Sequence, residues 1–114
     1  MTKKYELTDN TKEVDGHILH QIKALKSFDD VKKGDLGGWI ESYSNLSQVD
    51  SSWPYEGARA DNSWVYDNAM VYENAEVCDG AKVHDYCQIY GDVLIDNGVL
   101  VFGNLRFGGE GAFF

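Results

Sequence analysis

From Ser63 to Asn104 apolar and polar positions recur in blocks of six: SWVYDN, AMVYEN, AEVCDG, AKVHDY, CQIYGD, VLIDNG and VLVFGN, seven blocks in unbroken phase. An eighth block, LRFGGE, follows, and then Gly-Ala-Phe-Phe. The third place holds Val65, Val71, Val77, Val83, Ile89, Ile95, Val101 and Phe107. The first holds Ser63, Ala69, Ala75, Ala81, Cys87, Val93, Val99 and Leu105. Residues two apart on a strand project to the same side, so places one and three predict an inward pair and places two and four an outward pair. Places five and six are Asp-Asn, Glu-Asn, Asp-Gly, Asp-Tyr, Gly-Asp, Asn-Gly and Gly-Asn. Most of these residue types tolerate left-handed backbone and form tight corners. Strand, corner, strand, corner predicts a coil whose turns must stack to bury their apolar side.

This pattern resembles the hexapeptide-repeat proteins. The resemblance implies an all-β chain: a short left-handed parallel β-helix of about three coils, with three hexads to each triangular turn. It places residues eighteen apart on the same face. In acyltransferase members a glycine commonly follows the aliphatic residue, whereas Tyr66, Tyr72, Cys78, His84, Tyr90, Asp96 and Phe102 stand there in this chain. More narrowly, nearly the full length is similar to a group of small phage and prophage proteins. In those, a head like Gly34-Asp-Leu-Gly-Gly-Trp-Ile-Glu41 and Asn45-Leu-Ser47 precedes VYxNAxV repeats.

The head lacks the six-residue period. Residues 5–28 read as strands, and Val14-Asp15-Gly16-His17 is an Asp-Gly hairpin signal. Ile18, His20, Ile22 and Ala24 alternate onto one expected face, Phe28 to Gly34 is an expected charged loop, and Gly37-Gly38 permits a close backbone approach before Trp39. A β-helix end exposes unpaired backbone and apolar interior, so residues 1–45 are expected to cap it. Residues 46–62 read as degraded repeat, with Pro54 at an aliphatic place and Ala58 and Ala60 suggesting one hexad out of phase. Residues 63–114 are expected to form the repeat proper with a C-terminal cap, within one compact domain.

The formal charge of −9 is uneven: residues 1–50 carry seven Lys against nine Asp and Glu, while residues 51–114 carry Arg59, Lys82 and Arg106 against ten. A balance of −7 in the second half argues against nucleic acid or an anionic membrane as a direct partner and permits a basic protein partner. Acidic residues that simply keep a small protein soluble explain the same balance. The sequence shows no signal-peptide pattern and no membrane-spanning apolar run, so a cytoplasmic protein of a bacterial host cell is expected.

Eighteen-residue stacking places Trp64, Tyr66, His84, Leu100 and Phe102 on one aromatic face. Such a patch marks an interface with a partner or a second copy, or a surface that the head covers within one chain. The corner carboxylates Asp67, Glu73, Asp79, Asp85 and Asp92 form the second candidate site. Stacked corners repeat every ~4.8 Å, in loose likeness to duplex DNA, which carries about one charge per 1.7 Å. With the phage resemblance, this favours a non-catalytic acidic protein that occupies a basic surface of a host protein, a nucleic-acid-binding defence component in the manner of a DNA mimic or anti-CRISPR. An acyltransferase with His84 as general base is the alternative from the enzyme class, and a purely structural oligomer is a third. No P-loop, GxGxxG, GxSxG, HExxH or CxxC pattern occurs, so no catalytic residue, metal or cofactor is expected. His17 and His20 should point to opposite faces, and Cys87 (inward) should not bridge Cys78 (outward).

Overall fold

The structure is a computed structural model that describes residues 3–48 and 62–108. The strands of the head are β1 (Tyr5–Val14), β2 (His17–Ala24) and β3 (Leu36–Ile40), followed by a 3-10 turn at Tyr43–Asn45. The repeats supply β4 (Trp64–Val65), β5 (Met70–Val71), β6 (Glu76–Val77), β7 (Lys82–Val83), β8 (Gln88–Ile89), β9 (Leu94–Ile95), β10 (Leu100–Val101) and β11 (Arg106–Phe107). The architecture is all-β. No described helix is long and apolar enough to cross a membrane.

Each repeat strand pairs in parallel with the strand eighteen residues away: Val65 with Val83 and Val83 with Val101, Val71 with Ile89 and Ile89 with Phe107, Val77 with Ile95. Three hexads therefore advance the chain by one level. The inward places behave as their spacing predicts from Ala69 to Ile95: Ala69, Val71, Ala75, Val77, Ala81, Val83, Cys87, Ile89, Val93 and Ile95 are buried in one cluster. At the last described level the expectation is corrected, since no described strand stacks beyond it: Val99 and Phe107 are only partly buried and Leu105 is 45% exposed. Small residues at place one let the backbone turn close to the aliphatic third place, so each level fills its own interior.

The corners explain the polar places. At place five φ is positive at Asp67 (55°), Glu73 (59°), Asp79 (52°), Asp85 (63°), Gly91 (71°), Asn97 (54°) and Gly103 (94°). Left-handed backbone is open to Gly and accessible to Asp and Asn, whose short side chains bond locally. Glu73 is the one residue of the set outside those types.

The head is built differently. Asp15 (φ 50°) and Gly16 (φ 83°) both lie in left-handed backbone, the geometry of a two-residue type I′ hairpin turn. β1 and β2 are antiparallel, with a register break between Leu7 and Thr11. β2 pairs antiparallel with β3, and β3 pairs in parallel with β5, so head and repeats share one six-stranded sheet in the order β1-β2-β3-β5-β8-β11. The expected single face of β2 is corrected by this geometry: Leu19 is buried and Ile18 is 50% exposed, while Ile22 and Ala24 are buried. The pairing slips on both sides of β2, between Leu7 and Thr11 and between Gln21 and Lys23, so one alternation does not run its whole length.

Gly37 and Gly38 make the close approach. A Cβ on Gly38 would lie 2.6 Å from the Ala69 carbonyl oxygen and 2.6 Å from Val65 Cγ1, and one on Gly37 would lie 2.6 Å from the Val65 carbonyl oxygen. The head then lays its own hexad-spaced residues on the repeats: Ile40 pairs with Val71, and Leu46 bridges to Val77 in parallel. The expectation of degraded repeat around Pro54, Ala58 and Ala60 lies outside the described residues, as do the last residues of the eighth hexad and Phe113 and Phe114.

Candidate interaction surface

The acidic corner residues are spread over three edges of the stack. Asp67 and Asp85 occupy the corner between the β4-β7-β10 sheet and β5, with Asn68 N–H donating to the Asp85 carbonyl at 3.1 Å. Glu73 and Asp92 occupy the next corner, and Asp79 the third. The first two edges flank the face made by β5 and β8, so their carboxylates border one surface from both sides. Asp79 stands apart, where Cys78, Asp79 and Asp96 each bring one potential ligand atom within 4.8 Å of the others. The Asp85 carboxylate is partly engaged, accepting from Gly103 N–H at 3.0 Å. Asp67, Glu73 and Asp92 are exposed.

The aromatic set divides into a covered half and an open half. Trp64, expected outward, is 1% exposed. Its indole meets Tyr5 edge-on at 6.1 Å and Phe28 at 5.3 Å. The reason is tertiary: the loop of Phe28, Asp29 and Val31 folds over the top of this face, closed by paired hydrogen bonds between Phe28 and Val31. Tyr66 OH donates to Asp30 at 2.6 Å, and Lys82 pairs with Asp29. Burial, followed by this bond to Asp30, pushes the Tyr66 phenol far above its usual range. One level down, His84 stacks on Tyr66 at 3.9 Å with the rings 9° apart. Below it the cover ends, and Leu100 is 55% and Phe102 61% exposed. Tyr86 and Leu105 are also exposed near that end.

A second column runs beside the first. Tyr72 stacks on Tyr90 at 5.5 Å, and the Arg106 guanidinium lies 5.5 Å from the Tyr90 ring centre. Gly108 completes it, since a Cβ there would fall 1.9 Å from Tyr90 Cε2.

Several residues that organise these surfaces were not singled out by sequence reasoning. Glu41 bridges the parts: Oε2 lies 2.8 Å from His17 Nδ1, and Oε1 accepts from Glu73 N–H at 2.8 Å. Burial raises the Glu41 carboxyl, and the bonds from His17 and Glu73 more than offset this, holding it below its ordinary value. Asn45 is fully buried: its Oδ1 accepts from Glu41 and Ser42 N–H, and its Nδ2 donates to the Glu73 and Ala75 carbonyls. Lys4, also fully buried, donates from Nζ to the Ser63 carbonyl at 2.6 Å and lies 5.1 Å from the Phe28 ring centre. Glu41 and Asn45 lie in the head, and nothing in their spacing shows what they hold.

His17 and His20 have separate partners: His17 Nδ1 lies 2.8 Å from Glu41 Oε2, and His20 Nδ1 meets the Thr8 carbonyl at 3.0 Å. No disulfide joins Cys78 and Cys87, and Cys87 is buried. No protein-family model matches the chain, and no curated protein is significantly similar to it.

Proposed function

We propose that this chain is a non-catalytic acidic binding protein of phage or prophage type that acts in the host cytoplasm. It occupies a basic surface of a host protein, a nucleic-acid-binding defence component. The observation that carries the reading is the placement of Asp67, Glu73, Asp79 and Asp85 on corners of left-handed backbone. A left-handed parallel β-helix of the hexapeptide-repeat kind is the fold that goes with it, supported by the eighteen-residue parallel register and the small–aliphatic filling of places one and three. In that fold the carboxylates are presented on a stiff frame at strand spacing, ~4.8 Å per level. A partner that tracks a phosphate backbone would meet two acidic edges, Asp67–Asp85 and Glu73–Asp92, on either side of one face. The open aromatic end at Leu100 and Phe102 supplies shape-specific contact that diffuse charge cannot, since a few buried aromatic side chains dominate many interfaces.

The test begins with host proteins retained on the immobilised chain and challenged with duplex DNA. A partner held by mimicry is released by DNA and by salt, because exposed charges are screened over about 10 Å at 0.1 M. Changing Asp67, Asp85 and Asp92 together to Asn weakens binding and flattens its salt dependence. Unchanged binding of that variant at every salt concentration rejects the electrostatic mechanism. Transfer of an acyl group from an acyl-coenzyme donor, abolished in His84→Ala, replaces the reading with a transferase.

A further inference from the structure

We propose that His17 is a proton-operated latch holding the β1–β2 hairpin on the aromatic column of Tyr72 and Tyr90. Two residues of the hairpin turn reach that column. Asp15 Oδ2 accepts from Tyr72 OH at 3.4 Å and lies 3.8 Å from Arg106 Nη2. His17 places its ring 5.4 Å from that of Tyr72. Its two nitrogens face two carboxylates, Glu41 Oε2 at 2.8 Å and Glu73 Oε2 at 4.0 Å.

The groups facing the imidazole come from every element around it. Asp15 belongs to its own hairpin, Glu41 follows β3, Glu73 and Tyr72 come from the end of β5, and Arg106 on β11 reaches the cluster through Asp15. Three carboxylates against one guanidinium leave the cluster negative when the imidazole is neutral. A proton on His17 supplies a cation between the two parts of the molecule. Glu41 transmits the effect, because the carboxylate that holds His17 also accepts from the Glu73 backbone N–H. Tyr72 is 1% exposed beneath this clasp, so opening the hairpin tip bares an aromatic surface that the closed form hides.

The sign follows from the groups themselves. The Glu41 hydrogen bond raises the His17 pKa above its ordinary value; burial opposes this, and the charges of Glu41, Glu73 and Asp15 add to it. The added hold is fully present below the ordinary histidine value of about 6.5 and is lost as pH rises through the higher folded value. At the acid end Glu41 sets the limit, since its pKa is lowered and its contribution is lost as pH falls through that value. The latch is tightest between these limits.

Amide hydrogen exchange of the full chain reads the latch at Val14, His17 and Ile18, corrected for the intrinsic pH dependence of exchange. Protection of these amides should fall from about pH 6 to about pH 8, the range around an ordinary histidine. H17Q should make the profile flat over that range. H20Q should keep the wild-type profile, because His20 bonds the Thr8 carbonyl instead. E73Q, which leaves the Glu73 backbone bond to Glu41 in place, should move the midpoint to lower pH. A pH-dependent profile that survives in H17Q overturns the proposal, as does a His17 imidazole that titrates at or below its ordinary value. If H17Q fails to fold, E73Q decides: a midpoint that does not move overturns the latch.

Discussion

The repeats bury Ala69, Val71, Ala75, Val77, Ala81 and Val83 and satisfy their polar backbone through ladder bonds to the next level, such as Tyr66 N–H to the Val83 carbonyl at 2.7 Å. The head buries Lys4 and Asn45 and satisfies them through individual side-chain bonds to distant backbone. In the repeats any small residue at place one and any aliphatic residue at place three does the same work, so the information is spread over many interchangeable positions. In the head it is concentrated in a few residues with no substitute nearby. The repeats should therefore resist conservative change and fail only when a charge enters the core, while the head should fail at single polar positions.

The largest effect should come from breaking the repeats where they are strongest. Val83 is fully buried at the middle level of the β4-β7-β10 sheet. Val83→Asp would place an unpaired carboxylate there, at a penalty of several kcal/mol, roughly the whole stability of a small domain. Loss of the cooperative thermal transition is expected, and an unchanged melting curve would show that the inward register is wrong. Val83→Ile should be tolerated.

Next in size is Asn45→Ala. It deletes four hydrogen bonds and strands buried partners, including the Ala75 carbonyl at 2.7 Å. A loss of about 3 kcal/mol in denaturant unfolding is expected, since each stranded buried group costs roughly 1–3 kcal/mol. Asn45→Asp should also destabilise, because it keeps the acceptor and removes the donor. Gly38→Ala follows: the new Cβ meets the Ala69 carbonyl and Val65 rather than the tip of a flexible chain, and a loss of about 2 kcal/mol is expected from overpacking. Equal stability of wild type and Gly38→Ala would mean that the head does not dock as closely as the structure has it.

The smallest effect separates stability from binding. The combined change of Asp67, Asp85 and Asp92 to Asn should alter stability by no more than about 0.5 kcal/mol, as surface changes usually do. Asn tolerates the left-handed backbone at Asp67 and Asp85 and can still accept from Gly103 N–H. A large loss of stability would make these carboxylates structural and remove the basis for using the variant to test partner binding.

Legibility in the sequence divides along the same line. The inward valines, the left-handed corners from Asp67 to Asn97, the Asp15-Gly16 turn and the close approach at Gly37-Gly38 could all be read from residue type and spacing. Trp64 could be read only in part. Its hexad place says outward from the coil, and cover by the head was one of the alternatives for this face, but nothing in the spacing shows that Tyr5 and the Phe28 loop supply that cover. Ile18 misleads for a related reason, since alternation assumes an unbroken strand and the pairing around β2 slips twice. Of the aromatic set, spacing brought Tyr66 and His84 into one stack but did not distinguish this covered half from the exposed Leu100 and Phe102.

By itself the sequence determined the repeat: a local period of six, enforced by which residues can be buried and which can turn a left-handed corner. It also set the excess of carboxylate in the second half and placed those groups on corners. The tertiary structure alone decided where the head lies, which part of the aromatic face it covers, and that Asp15 and His17 meet Tyr72, Arg106, Glu41 and Glu73. Period-six packing is a nearest-neighbour property and repeats at every level, so it leaves a signal in the chain. Contacts such as His17 with Glu41, or Lys4 with Ser63, each occur once between distant segments, and a contact made once has no spacing from which to be read.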